Sequence, residues 1–287
     1  MSTEIITVKN GLKAVKVVNA AASAEIMLLG AHLVSFKPNG GEELLWMSER
    51  SFFEEGKPIR GGIPVCWPWF GPNAENTALP AHGLVRQRIW VFAGAEEPDE
   101  RTTRCTFTIR DTPELRKLWD HAFNLKITFT ISDSLTVELT TQNTGDAPFT
   151  ISEALHTYFR IQDIMQAEVL GLEKKHYTEK AGGKISEEVM PDAPVVFGQE
   201  VDRVFQDVPG PFTLCDKAAG KSILITTSGS NSAVTWNPWI EKSIKMSADF
   251  PPEGYKTMVC VETANALADA RTILPGKSHT LRAEYKL

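Results

Sequence analysis

The sequence predicts an all-β protein, a large antiparallel β-sandwich with a few short helices. Apolar and polar residues alternate with a period of two in many short segments, which is typical of strands with one face on a core. Turn-forming residues separate these segments, and only one segment has clear helical character. Many short strands with little helix favour a sandwich or a barrel.

The strand candidates are spread along the whole chain. The alternation is clearest in residues 104–109, 125–131 and 135–140, where polar residues such as Thr and Lys alternate with Leu, Ile, Phe and Val. A Ser-Asp-Ser sequence at residues 132–134 predicts a hairpin turn between the last two of these strands. The other strand candidates are residues 13–18, 25–29, 33–36, 223–226, 233–236 and 280–285.

The segment with helical character is residues 112–119. Thr112 is suited to capping a helix and Pro113 to its first turn. Leu115 and Trp119 then lie on one apolar face. We expect a short surface helix between two strands at this place.

Composition and charge narrow the class of protein. The 287 residues carry a formal net charge of -6 without a basic stripe, which disfavours a nucleic-acid partner. The four cysteines are far apart and form no Cys-x-x-Cys pair, which disfavours a zinc site. No leader pattern opens the sequence, and no apolar run approaches ~18 residues. We expect one domain over residues 1–287, monomeric and cytoplasmic, without membrane contact.

Three ionisable residues interrupt segments that otherwise read as partly buried. Glu262 lies in the apolar segment 258–267, where a carboxylate is unfavourable unless it is paired or hydrogen-bonded. His156 interrupts an apolar segment in the same way, and His82 opens a compact one. One acid and two imidazoles in such positions suggest proton transfer. A structural ion pair between Glu262 and an arginine is the alternative.

A loop at residues 59–72 is rich in Gly and Pro and also strongly aromatic. Its two consecutive glycines would let the backbone come close to a ligand. Trp67 and Trp69 could present flat faces to a sugar ring or plug one end of the sandwich. Arg60 is harder to explain by packing, because a guanidinium matches carboxylate or phosphate groups.

If the segments around both histidines are extended, alternate side chains in each of them lie on the same face. In residues 82–88 it would place His82, Arg86 and Arg88 on one face, which would suit an anion. In residues 153–160 it would place His156 on one face with its neighbours at even-numbered positions. Ordinary solvated or core residues are the alternative reading of each segment.

Two further positions are candidates for contacts with a sugar. Asp202 could accept hydrogen bonds from sugar hydroxyl groups, although an exposed pair with Arg203 explains it as well. Trp236 precedes a turn at residues 237–239 and could form a wall of a pocket or belong to the core.

Five segments occur in a characteristic order along the chain: RGGIPVCWP at residues 60–68, AHGLVR at 81–86, EALHTYF at 153–159, DR at 202–203 and VET at 261–263. Together they resemble the aldose 1-epimerase (mutarotase) superfamily, and within it the D-hexose-6-phosphate epimerase branch. The resemblance implies a galactose mutarotase-like supersandwich with an open sugar-binding face and no metal or organic cofactor.

The resemblance also implies catalytic roles. Glu262 corresponds to the general base and His156 to the general acid, while His82 helps to hold the region of the ring oxygen. The reaction implied is the interconversion of the α and β anomers of hexose 6-phosphates, chiefly D-glucose 6-phosphate, by ring opening and closure.

For substrate binding, the resemblance implies that Arg60 and Arg86 hold the 6-phosphate of a small-molecule hexose 6-phosphate. Asp202 binds hydroxyl groups, and Trp236 is our own candidate for a pocket wall. The sequence departs from the expected pattern at Gln87-Arg88, where smaller polar residues are expected.

Three other functions remain open from the sequence. A mutarotase of unphosphorylated hexoses would share the catalytic residues. A non-catalytic carbohydrate-binding protein would use the aromatic residues without needing a histidine beside Glu262. A glycosidase would need Glu262 and a second carboxylate, Glu153 or Asp202, on either side of one glycosidic bond.

Overall fold

The structure, a computed structural model that describes residues 2–287, confirms the all-β prediction. The first strands are β1 (Ser2–Thr7), β2 (Lys13–Val18), β3 (Ala22–Met27), β4 (His32–Pro38), β5 (Val65–Cys66), β6 (Val91–Asp99), β7 (Thr102–Arg110), β8 (Phe123–Ile131), β9 (Leu135–Asn143), β10 (Phe149–Ile151), β11 (Glu153–Leu155) and β12 (Tyr158–Arg160). They are followed by β13 (Ala167–Leu170), β14 (His176–Glu179), β15 (Ser186–Val189), β16 (Val195–Val196), β17 (Val201–Gln206), β18 (Phe212–Asp216), β19 (Lys221–Ser228), β20 (Ser232–Asn237), β21 (Met258–Asn265), β22 (Arg271–Ile273) and β23 (Ser278–Lys286).

Helices are few within residues 2–287. The two α-helices are α1 (Pro113–Arg116) and α2 (Trp239–Lys245). Short 3₁₀ turns cover Lys9–Gly11, Ile164–Gln166, Ala181–Gly183, Gly254–Thr257 and Leu267–Asp269. No helix in this part of the chain combines the length and the apolar character that crossing a membrane would require.

Two large antiparallel sheets form the sandwich. One has nine strands in the order β16-β13-β18-β19-β23-β9-β8-β7-β6. The other has eight, in the order β15-β14-β17-β20-β21-β11-β5, with β12 also paired to β21. A four-stranded sheet, β1-β2-β3-β4, and the pair β10-β22 complete the fold.

The core lies between the two large sheets. The alternate residues of β8 and β9 that point to this side are fully buried, as their period of two predicts. Tyr285 of β23 crosses the interface, because its hydroxyl lies 2.6 Å from Thr157 Oγ1 and its ring packs against Phe159. Each large apolar side chain buried here contributes about 1.5–3 kcal/mol to stability.

The predicted strands are all present, and their ends differ by a few residues at most positions. The predicted helix is shorter than residues 112–119, since α1 ends at Arg116. Its capping is as expected, because Thr112 Oγ1 accepts a hydrogen bond from Leu115 N at 3.2 Å. The chain then leaves the helix so that Trp119 packs against Trp67 and Phe149.

Some elements gave no clear signal in the sequence. β6 is an exposed edge strand with two register irregularities, so its residues do not alternate between core and solvent. α2 begins at Trp239, inside the segment that the sequence predicted as a turn. Its single fully buried residue is Ser243, which explains why no apolar face marks this helix in the sequence.

Candidate active site

The centre of the candidate site is the pair His156 and Glu262. β11 and β12 both pair with β21 in one continuous register, with Ala154 opposite Ala264 and Tyr158 opposite Cys260. This register places His156, in the gap between β11 and β12, opposite Glu262. The imidazole Nδ1 lies 3.3 Å from the carboxylate Oε1, and both side chains are almost completely buried.

The neighbouring strands extend this face of the eight-stranded sheet. Asp202 pairs with Trp236, and Trp236 pairs with Cys260, which in turn lies opposite Tyr158. Directly opposed residues in antiparallel strands present their side chains on the same face. The sheet therefore brings Asp202 and Trp236 to the face that carries His156 and Glu262.

Aromatic rings fix the orientation of His156. The imidazole stacks on the Tyr158 ring, with centroids 4.8 Å apart and an interplanar angle of 10°. The rings of His82 and Trp236 contact it edge-on, at centroid distances of 5.7 Å and 6.0 Å. Three aromatic neighbours leave the imidazole little rotational freedom, as a positioned acid or base requires.

His82 reaches the site from a turn and not from a strand. Its φ is 65° and that of Gly83 is 80°, so the expectation of an extended segment over residues 82–88 is wrong. A side chain on Gly83 would place Cβ 1.8 Å from Trp67 O, so only glycine fits this close approach. The turn directs His82 towards His156, while Arg88 is exposed and lies beside other surface residues such as Leu118.

Arg60 lies near the site but is already paired. Its Nε and Nη2 donate to Asp249 Oδ2 at 3.1 Å and 3.0 Å, and Nη1 donates to the Tyr158 hydroxyl at 3.2 Å. The sequence gave no signal for Asp249, which lies 189 residues further along the chain. The pairing holds Arg60 against the ring that supports His156.

The guanidinium of Arg86 makes fewer hydrogen bonds to the protein than that of Arg60. Its Nη2 donates to Ala81 O at 2.8 Å, while its buried Nε has no hydrogen-bond partner among the described residues. Burial, followed by the positive charge of Arg60, lowers the pKa of Arg86. A partly buried guanidinium with an unpaired, buried Nε is stabilised by an anion.

Burial drives both members of the central pair towards their neutral forms. It raises the pKa of Glu262, with a further increase from Asp202 and an opposing effect of Lys180. It lowers the pKa of His156, and the positive charges of Arg86 and Arg60 lower it further. The neutral pair and the ion pair hold the same number of protons, so the two states differ only in whether Glu262 or His156 carries the mobile one.

Two lysines that the sequence analysis missed lie close to this face. Lys242 Nζ contacts Asp202 Oδ2 at 3.3 Å and lies 5.9 Å from the centroid of a Trp236 ring. Lys180 donates its backbone N–H to Asp202 O at 2.8 Å. Burial raises the pKa of Asp202, and the charges of Lys242 and Lys180 offset only part of this increase. No pattern in the sequence singles these lysines out from the other surface cations.

The tryptophans divide between core and site. Trp67 is fully buried, its Nε1 donates to Thr141 Oγ1 at 2.9 Å, and it packs on Phe123, so it has the packing role. Trp69 is nearly buried and donates to Pro80 O at 3.0 Å. Trp236 lies on the face of the candidate site, as described above.

Cys260 adds a sulfur atom to the central pair. One ligand atom each from His156, Cys260 and Glu262 lie within 4.8 Å of one another, so these three residues could hold a metal ion. A surface cavity of about 850 Å³ lies elsewhere and is lined by residues such as Trp46, Arg160 and Lys221.

The fold belongs to the class of galactose mutarotase-like sandwiches. A solved structure of such a protein from Clostridium acetobutylicum superposes with a TM-score of 0.77 at 16% identity, covering 99% of this chain and 97% of that one. A provisionally named mutarotase from Salmonella typhimurium superposes with a TM-score of 0.89 at 33% identity, over 96% and 90% of the two chains.

Sequence comparison agrees. The aldose 1-epimerase family model matches residues 13–286, so the chain belongs to the aldose 1-epimerase family. A relative from Escherichia coli is 39% identical over 243 residues, which are 85% of this chain and 80% of that protein. One from Cenchrus ciliaris is 34% identical over 283 residues, which are 96% and 84% of the two chains. Both are provisionally named glucose-6-phosphate 1-epimerase.

Proposed function

We propose that this protein is a glucose-6-phosphate 1-epimerase, which interconverts the α and β anomers of hexose 6-phosphates, chiefly D-glucose 6-phosphate. The observation that carries the proposal is the buried His156–Glu262 pair, with Nδ1 and Oε1 3.3 Å apart, beside two guanidiniums. The names of the two relatives at 39% and 34% identity support the same substrate.

In the proposed reaction Glu262 is the general base and His156 the general acid. Glu262 accepts the proton of the anomeric hydroxyl O1, and His156 donates a proton to the ring oxygen O5. The C1–O5 bond breaks to give the open-chain aldehyde. Rotation about C1–C2 presents the other face of the carbonyl to O5, and the reverse proton transfers close the ring as the other anomer. Acid–base assistance of this kind contributes about 10²–10⁴-fold.

The reactive state requires the ion pair. Glu262 must be a carboxylate and His156 an imidazolium, although burial favours the neutral form of each. Moving the one proton of the pair from Glu262 to His156 produces this state without any exchange with solvent. Close spacing of the two groups makes the ionised state accessible, because opposite charges in a poorly solvated site attract strongly.

Arg86 and Arg60 are the proposed ligands of the 6-phosphate. Arg86 has an unused buried Nε, and burial, followed by the positive charge of Arg60, lowers its pKa. A phosphate dianion accepts charge-assisted hydrogen bonds from such a pair, each worth about 1.5–3 kcal/mol. The donors that Arg60 does not use on Asp249 and Tyr158 remain for the ligand.

The remaining site residues would position the ring. Burial, then the charges of Arg86, Arg60 and Lys180, lowers the pKa of His82 to about 3, so a neutral His82 is available to hydrogen-bond near the ring oxygen. Asp202 would accept hydrogen bonds from sugar hydroxyls, and Trp236 would contact an apolar face of the ring. We expect the enzyme to act as a cytoplasmic monomer without a metal or organic cofactor.

The test is exchange spectroscopy by NMR on the purified protein. Catalytic exchange between the anomeric C1 protons of glucose 6-phosphate, faster than for glucose or galactose, supports the proposal. Equal rates with free hexoses would favour a mutarotase of unphosphorylated sugars, and binding without faster exchange would favour a carbohydrate-binding protein.

A glycosidase with Glu153 as its second carboxylate does not fit the structure. Glu153 points into the core on the opposite face of the sheet from Glu262, where it lies 3.4 Å from His279. It is fully buried and does not reach the face that carries the candidate site.

A further inference from the structure

The floor of the candidate site combines three kinds of metal ligand. Cys260 and Glu262 are two residues apart on β21, so their side chains share one face, and His156 lies opposite Glu262. Their ligand atoms, an imidazole nitrogen, a thiol sulfur and a carboxylate oxygen, lie within 4.8 Å of one another. Imidazole nitrogen, thiolate sulfur and carboxylate oxygen are the ligands that Zn²⁺ binds in tetrahedral protein sites.

Two polar atoms of this cluster lack a hydrogen-bond partner of good geometry. His156 Nδ1 and Glu262 Oε2 are buried and have no hydrogen-bond partner in the part of the chain that the structure describes. Buried polar atoms without a partner are rare and unfavourable by about 1–3 kcal/mol each. A cation bound between the three residues would accept these lone pairs.

We propose that His156, Cys260 and Glu262 form a latent site for a thiophilic divalent cation such as Zn²⁺, and that a bound ion blocks the sugar site. Nitrogen, sulfur and one carboxylate oxygen suit Zn²⁺ or Cd²⁺, whereas Mg²⁺ and Ca²⁺ prefer oxygen ligands alone. Three protein ligands leave one coordination position open towards the site.

Binding releases protons. The thiol proton of Cys260 leaves to solvent as the metal–sulfur bond forms, and so does the proton that His156 and Glu262 share. Affinity therefore rises with pH. The positive charges of Arg60, Arg86 and Lys180 oppose the cation, so we expect affinity on the order of micromolar, weaker than that of structural zinc sites.

The first measurement tests metal binding alone and does not depend on epimerase activity. Equilibrium dialysis of the purified protein against micromolar ZnCl₂ should give one bound Zn²⁺ per chain. Cd²⁺ should produce the ultraviolet thiolate-to-metal charge-transfer band. Cys260→Ser should remove that band and weaken binding about a hundredfold. Cys66→Ser is the matched control, because Cys66 is equally buried but lies outside the cluster.

The second measurement is inhibition. Zn²⁺ should inhibit anomer exchange competitively with glucose 6-phosphate, and EDTA should reverse the inhibition. An absence of exchange in the metal-free protein would refute the proposed function and leave the dialysis result standing. Dialysis that shows no Zn²⁺ in the unmodified protein, or equal binding by Cys260→Ser, would overturn the metal site. Should Cys260→Ser fail to fold, weakened Zn²⁺ binding in Glu262→Gln gives the same test.

Discussion

Glu262 on β21 lies directly opposite His156, which occupies the gap between β11 and β12, and the imidazole Nδ1 lies 3.3 Å from the carboxylate Oε1. β11 and β12 pair with β21 in one register and hold the two residues, so the geometry of the pair depends on the backbone of the sheet and not on a mobile loop. A site on rigid elements keeps its reacting groups in place without further ordering on substrate binding.

Removing either member of the pair should abolish catalysis while the fold persists. We expect Glu262→Gln and His156→Asn each to lower kcat for glucose 6-phosphate by about 10²–10⁴-fold, because each removes one proton-transfer group. NMR exchange rates measure the loss, and circular dichroism checks the fold. Glu241→Gln, an exposed change on α2, is the control. Full activity in either site variant would refute its assignment.

Arg86 should govern recognition of the phosphate. Arg86→Ala should raise KM for glucose 6-phosphate by about tenfold to a hundredfold and leave KM for free glucose almost unchanged, because a charge-assisted contact is lost. Arg88→Ala is the matched control, since Arg88 is exposed and lies away from the site. Similar effects of the two variants would place the phosphate elsewhere.

Phosphate bound at Arg86 should also activate His156. Burial first, then the positive charges of Arg86 and Arg60, lowers the pKa of His156, and a dianion between the arginines would offset their part of this effect. Phosphite should therefore accelerate anomer exchange of D-xylose, a sugar without the C6 phosphate arm, on the order of tenfold. Exchange rates of xylose that do not respond to phosphite would show that the phosphate only binds.

Glu153 should make stability depend on pH. Burial raises its pKa from 4.5 to about 8, so the folded state retains a proton that the unfolded state releases. The contribution of the Glu153 carboxyl to the unfolding free energy is fully present below about pH 4.5 and is lost as pH rises towards about 8. Glu153→Gln should remove this loss, about 4 kcal/mol between pH 5 and 8.5 in urea unfolding. Glu188→Gln, an exposed change, should keep the wild-type slope.

Gly83 should tolerate no side chain. In Gly83→Ala the new Cβ would lie 1.8 Å from Trp67 O, so the turn that carries His82 must move. We expect a loss of unfolding free energy of more than about 3 kcal/mol and a fall in kcat. Gly40→Ala shares the positive φ but meets no atom within 4 Å, so it should lose only about 1 kcal/mol. Equal losses of unfolding free energy in the two variants, measured by thermal unfolding, would show that the positive φ and not the close contact with Trp67 O determines the effect.

The strands of this protein, and the face that each strand buries, could be predicted from its sequence. Alternation with a period of two predicted the strands, and it also predicted that His156 shares a face with Tyr158 while Glu153 points the other way. The prediction succeeded because one side of each strand is buried, so burial and sequence have the same period. The resemblance of five short segments indicated the family and the substrate class. The assignment to one domain, the monomeric state and the roles of the site residues stay predictions.

Other features were decided only by the tertiary structure. The turn at His82 and Gly83, the ion pair of Arg60 with Asp249, and the approach of Lys180 and Lys242 to Asp202 all join segments that are distant in sequence or bent by local backbone. Charge and backbone contacts of this kind have no period, because each depends on where two separate segments meet in space. The sequence by itself therefore determined which face each strand buries, and the packing of the sheets and turns determined which charges surround the pair.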